Sequence, residues 1–154
     1  MLARLLATED TASLTVLRLF LALVMFPHGA QKVFGWFGGP GFTGTMEMFT
    51  KMMGIPYLFG LMAVLTEFVG PLLLVAGLAT RVAALVMAGE MVVAVALVHL
   101  HNGFFMNWTG KQAGEGFEYH ILVVGMALAL MIGGGGCWSV DRLMFRRRAG
   151  GPLR

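Results

Sequence analysis

Charge and sulfur chemistry are what this chain has least of. Only 12% of its 154 residues are charged, whereas soluble domains carry about 25%. A single cysteine, Cys137, excludes an intrachain disulfide and a dithiol redox pair within one chain. No Walker loop, CxxC pair, HExxH or strand-following GxGxxG occurs, and no internal repeat stands out. Nucleotide-phosphate, dithiol and zinc-peptidase chemistry therefore have no motif to rest on. No metal site is assigned either, because neither a further cysteine nor a second acidic ligand completes a zinc set around the four histidines.

What is present is hydrophobic length. Hydrophobic residues make up 58% of the chain and the mean hydropathy is +0.80. Crossing a bilayer core takes ~20 apolar residues, and four runs qualify: about 14–34, 57–79, 82–100 and 118–134. The fold class expected is all-α, a single polytopic membrane domain over residues 1–154 built as a four-transmembrane-helix bundle. The start, MLARLLATEDTAS, lacks the layout of a cleaved signal peptide, so the first run is read as a retained span. Thr80 and Arg81 alone are expected to join the second and third spans.

Between the first two spans, GFTGTMEMFTKMMG carries an apolar stripe (Phe42, Met46, Phe49, Met53) and a Glu47–Lys51 pair at i,i+4 spacing. About 11 residues are too few to span, so this segment is expected to lie on the outer surface or to cap the bundle. Phe104, Phe105, Trp108, Phe117 and Tyr119 are expected to form an interfacial aromatic belt. Ser139–Arg148 is expected to form a short basic helix.

The positive residues divide by type. Eight arginines (4, 18, 81, 142, 146, 147, 148, 154) fall near one set of span ends, and Lys32, Lys51 and Lys111 fall in the opposite loops. The positive-inside bias then puts both termini in the cytoplasm. Arg18, inside the first span, is expected to snorkel to the cytoplasmic interface. The basic tail, 139–154, reads as a topology anchor, and no nucleic-acid partner is expected.

Against this background the polar residues at membrane depth stand out. His28, Gln31 and Lys32 share one helical face at the end of the first span. Trp36, Phe37 and a glycine-rich reversal through Gly41 follow them. Glu67 and Glu90 lie within apolar spans, where an ionisable group costs roughly 2.5–3.5 kcal/mol or more and so marks a functional candidate. Counted from the 80/81 hairpin, they differ in height by about one helical turn. His99, Glu118 and His120 fall at the same outer level. The candidate ligand pocket is therefore His28, Gln31, Lys32, Glu67, Glu90, His99, Glu118 and His120, opening outward. Lys32 would anchor an anion or carbonyl, and His28 with Glu67 would relay a proton. No catalytic residue is assigned. The plain alternative is that these groups pair only to hold four helices in register. A haem held between His28 and His120 is geometrically conceivable but disfavoured.

At these residues the chain resembles the DoxX family of small four-helix membrane proteins. The resemblance rests on HGAQKVFGWFGG (28–39), Glu67 with Gly70, Gly77 before Thr80–Arg81, GFF (103–105), GFEYH (116–120) and SVDRL (139–143). It implies a four-span bundle in a prokaryotic plasma membrane and an association with quinone-linked oxidoreduction or thiol homeostasis. Pro71 stands where a second glycine is usual, and GGGGCWSVD replaces a glycine–proline run; both are expected to lie away from the mouth.

The expected function is an integral membrane component of a respiratory or redox-homeostasis system that binds a quinone-like or small polar ligand. It would act as a subunit of a quinone-linked membrane oxidoreductase, with electrons from a redox protein partner or bound cofactor, because no redox centre can be named in the chain. The alternatives are a structural or assembly subunit of a larger membrane complex, or a proton-coupled small-solute carrier using Glu67 and Glu90. Expected partners are membrane lipid and a membrane protein or further copies of this chain. On topology the outcome expected is definite: alkaline phosphatase fused after Arg154 is inactive and a fluorescent protein fused there folds. The opposite pattern would place the C-terminus outside.

Overall fold

The computed structural model describes residues 7–148, with side chains described through residue 145. Arg4 and Arg154 of the arginine set lie outside those residues, as do the side chains of Arg146, Arg147 and Arg148 and the tail segment 149–154.

Among the described residues the architecture is entirely helical. Helix α1 runs Ala12–Phe34, α2 Gly41–Glu47 with a π-helical turn at Met48–Met52, and α3 Tyr57–Ala76. Helix α4 runs Thr80–Ala94 and continues through a π turn (Val95–His99) and a 3-10 turn (Leu100–Asn102). Helix α5 is Glu118–Gly133, and α6 is Val140–Arg148. Three helical stretches, Ala12–Phe34, Tyr57–Ala76 and Thr80–Asn102, are long and apolar enough to cross a membrane. Helix α5 is equally apolar but has 16 residues, roughly 24 Å against a ~30 Å hydrocarbon core.

The four long helices close into a ring, α1 on α3, α3 on α4, α4 on α5, and α5 back on α1. Leu21, Met25, Leu74, Met87, Ala127 and Leu130 fill its centre, each 1% exposed or less. The outer face carries exposed Phe20, Leu23, Phe59, Leu85 and Leu122, the inversion expected of helices solvated by lipid tails.

Three polar side chains hold one end of this ring together. Arg18 is 2% exposed. It donates from Nε to Gly135 O at 2.8 Å, from Nη1 to Leu74 O and Val75 O at 2.6 Å each, and from Nη2 to Trp138 O. The expectation that it snorkels is therefore corrected. The last carbonyls of α3 have no intrahelical donor, and a planar fork of N–H groups satisfies them better than a distant interface would. Arg81 does the same for α5, donating to Met131 O, and also binds Ala7 O. Asp141, 1% exposed, accepts from the amides of Ala79 and Thr80 at 2.7 and 2.8 Å, capping the start of α4 from another helix.

The α3–α4 connection also differs from expectation. It is Gly77–Ala79, with both end residues left-handed (φ 63° and 50°), and Thr80 and Arg81 begin α4. At Gly77 a Cβ would lie 2.5 Å from that of Ser139, so SVDRL docks on the turn only because glycine is there.

At the other end, α2 and its π turn pack on α1 and α3. Met46 is buried, and Met46 and Phe49 close over Gly60. Lys51 donates to Glu47 at 2.7 Å and holds that carboxyl below the ordinary carboxylate range. The segment thus caps the bundle. Of the expected aromatic belt, Phe105 and Trp108 are exposed, whereas Tyr119 turns inward.

The Arg18 network generates a stability prediction. Arg18→Met removes the guanidinium donors from the Val75, Gly135 and Trp138 carbonyls, Leu74 O keeping the Gly77 amide, and should lower the unfolding free energy in detergent by roughly 2–4 kcal/mol. Arg18→Lys should recover only part because an ammonium cannot fork. Equal stability of all three proteins would show the contacts to be dispensable.

Candidate functional site

The site begins with a glycine. At Gly29 a Cβ would fall 2.3 Å from Glu67 O and 2.6 Å from Phe68 Cα, so α1 and α3 approach as closely as two helices can. Pro71 sits four residues after Glu67 and has no N–H to offer that carbonyl. Pro71 is therefore a local part of the site, not a feature remote from it. One turn above Gly29, the Lys32 ammonium pairs with Glu67 Oε2; the two side chains are 20% and 12% exposed.

Glu90 comes from the neighbouring helix. Glu67 lies nine residues above Ala76 and Glu90 ten above Thr80, so both stand roughly 14–15 Å above the Arg18 end. The expected one-turn offset is corrected, since residues 77–79 form the turn and add no helical rise. The Glu90 carboxyl lies beside that of Glu67 and within the field of Lys32. Its Oε2 is buried with no hydrogen-bond partner among the described residues.

Helix α5 contributes two rings. Tyr119 donates from its hydroxyl to Met25 Sδ at 3.1 Å and packs against His28, with centroids 5.8 Å apart. His120 is 7% exposed and stacks on His99 at 4.2 Å. His99 needs the π turn to reach that place. Nine residues beyond Glu90, it would lie about 180° around a regular helix; one inserted residue brings it to about 80°. Its Nδ1 is held by Glu115 O at 2.8 Å. His120 Nδ1, in contrast, is buried without a partner among the described residues.

Six of the eight expected pocket residues thus form two adjoining groups: Lys32, Glu67 and Glu90, then His28, His99 and His120. Glu118 stands apart. Its Oε1 accepts from the Met106 amide at 2.9 Å and Trp108 Nε1 at 3.2 Å, organising the 103–117 loop. Gln31 is half-buried and packs its backbone and Cβ against Gly39. Helix α2 closes beside Lys32, with Thr45 Oγ1 donating to Lys32 O at 3.4 Å, while His28 remains exposed. Tyr119 was missed as a site residue; its place between two polar residues of GFEYH was the available signal. No three His, Cys, Asp or Glu residues stand together as metal ligands among the described residues.

The DoxX family model matches residues 13–100, a stretch that carries His28, Lys32, Glu67, Glu90 and His99. The chain is 30% identical over 113 residues to the inner membrane protein YqjF of Escherichia coli (strain K12), covering 73% of this chain and 82% of that one. It is 26% identical over 138 residues to CatD of Bacillus subtilis (strain 168), a protein named as a candidate oxidoreductase, covering 90% and 91%. No solved structure matches it.

The glycine contact is testable by stability. Gly29→Ala should raise helix propensity by about 1 kcal/mol yet destabilise the protein by roughly 1–3 kcal/mol net, because the new methyl drives α1 from α3. Gly89→Ala, where a Cβ meets nothing within 4 Å, should be neutral or stabilising. Equal unfolding temperatures for both variants would remove the close contact from the account.

Proposed function

Because the chain belongs to the DoxX family of membrane proteins, we propose that it is an inner-membrane component of a redox-homeostasis system whose polar cluster binds a quinone-like headgroup. The observation that carries this reading is the second carboxyl. Lys32 and Glu67 would by themselves pin α1 to α3. Glu90 sets a second carboxyl against that of Glu67, with one buried oxygen left unpartnered, and so adds cost to the fold. One ammonium neutralises one carboxylate, so a proton or a ligand group must meet the other. A quinone taking up electrons also takes up protons at its two oxygens, and Glu90, Tyr119 and the histidines are groups that exchange them. Electrons would come from a partner protein. The name of CatD supports a redox setting, and that of YqjF supports the inner membrane.

The ion pair itself favours a second reading, a structural or assembly subunit with Lys32–Glu67 as a register pin. Binding of a decyl-chain benzoquinone to the protein in lipid nanodiscs separates the two. Under the ligand reading, Glu90→Gln weakens binding by roughly tenfold, about 1.4 kcal/mol, and changes stability by less than ~0.5 kcal/mol. Under the structural reading no binding is seen. Lys32→Met lowers stability, and adding Glu67→Gln recovers part of the loss in a double-mutant cycle.

A further inference from the structure

Helix α6 turns one side into the protein and leaves another bare. Ser139 caps its start, with Oγ accepting from the Arg142 amide at 3.2 Å. Asp141 is 1% exposed, its carboxylate on the first amides of α4 and its own amide donating to Gly77 O at 2.9 Å. The helix is thus fixed against the α3–α4 turn, at the level where α3 and α5 end and α1 and α4 begin. Val140, Leu143 and Met144, at i, i+3 and i+4 spacing, lie on a different side from Asp141. They are 37%, 41% and 37% exposed, and Trp138 just before them is 74% exposed. Arg18 holds the Trp138 carbonyl, so the backbone that carries this ring is fixed from inside the bundle. Of the four arginines in α6, Arg142 pairs with Asp10. Arg146, Arg147 and Arg148 form the last turn, and no acidic residue follows Asp141 in the chain.

We propose that α6 is an interfacial helix that binds anionic phospholipid headgroups in the leaflet on the Arg18 side. Trp138, Val140, Leu143 and Met144 set into the boundary between headgroups and acyl chains, and the arginine turn supplies the cations. The two features together exceed what either plainer account explains. A helix dipole favours arginines in a last turn, but it gives no reason for an apolar stripe on the same nine residues. An arginine run that serves only as a signal during insertion needs neither a folded helix nor a cap. At the ends of four membrane helices, a segment with one apolar and one basic side lies in the interface plane, where tryptophan is favoured. Guanidinium groups match phosphate oxygens in pairs. A zwitterionic headgroup offers that phosphate without net charge, so the complementarity is to anionic lipid, worth roughly fivefold per arginine. The surface is separate from the Lys32–Glu67 cluster and does not depend on the ligand reading. It gives the leaflet a hold on the fold, because Asp141 and Ser139 carry the position of α6 to the start of α4 and to Gly77.

The test follows Trp138 fluorescence in the full chain with the other tryptophans replaced, Trp36→Phe and Trp108→Phe. The protein sits in nanodiscs of phosphatidylcholine with a constant minor share of phosphatidylglycerol. Bromine, which quenches tryptophan on contact, is carried on the acyl chains of either the phosphatidylglycerol or an equal amount of the phosphatidylcholine, so only the headgroup that bears it differs. Brominated phosphatidylglycerol should quench Trp138 at least about twofold more strongly, and high salt should remove most of the difference. Arg146→Gln, Arg147→Gln and Arg148→Gln together should equalise the two lipids while leaving quenching by phosphatidylcholine in place, because the apolar stripe remains. Should the phenylalanine replacements prevent folding, the difference between the natural chain and Trp138→Phe gives the same reading. Equal quenching by the two lipids with the arginines present would overturn the inference. So would quenching by neither, which would place this side of α6 outside the bilayer. A phosphatidylglycerol preference that persists in the glutamine variant would also overturn it, since the anionic lipid would then be held elsewhere.

Discussion

Hydrocarbon donates and accepts no hydrogen bonds, so every polar group inside this bundle must find its partner within the chain. The Arg18 end meets that constraint for each of its buried charged groups. One guanidinium serves carbonyls from α3 and from the loop after α5, a second arginine serves α5, and an aspartate from α6 serves the first amides of α4. Groups left over at one helix end become the ligands of a side chain on another. The short GGGG segment fits this scheme because its backbone must lie against Thr8, Thr15 and Ser139 with no room for side chains.

The Lys32 end meets the same constraint incompletely. Lys32 and Glu67 complete one another across a contact that only Gly29 permits. Glu90 and His120 each keep a buried atom without a partner. Thr11 Oγ1 and Thr80 Oγ1 at the Arg18 end are also without partners among the described residues, so what sets the Lys32 end apart is that its unpartnered atoms belong to titratable groups.

Pro71 ties these observations to the backbone. By withholding an N–H from the Glu67 carbonyl it leaves that carbonyl at the Gly29 contact, where a Cα–H of the facing helix is the nearest weak donor. The residue that departs from the family pattern thus acts on the same turn that carries the central carboxylate.

Much of this was legible in the chain alone. Hydropathy marked the four apolar helices, the i,i+4 spacing marked Glu47–Lys51, a shared helical face marked Lys32, and the cost of ionisable groups in apolar spans marked Glu67 and Glu90, because composition and period are local properties. Four things were not local. Arg18 read as a snorkelling residue, because a sequence does not say that α3 and the 135–138 loop end beside it. Glu118 read as a pocket residue, although its carboxylate binds the 103–117 loop, and Tyr119 read as part of a belt, although it faces Met25. The relative heights of Glu67 and Glu90 depended on three turn residues that hydropathy counts as helix. The sequence by itself determined which segments are helical and which polar groups must be hidden. Only tertiary structure decided which of those groups meet, because partner choice depends on helix ends, turns and close contacts between segments far apart in the chain.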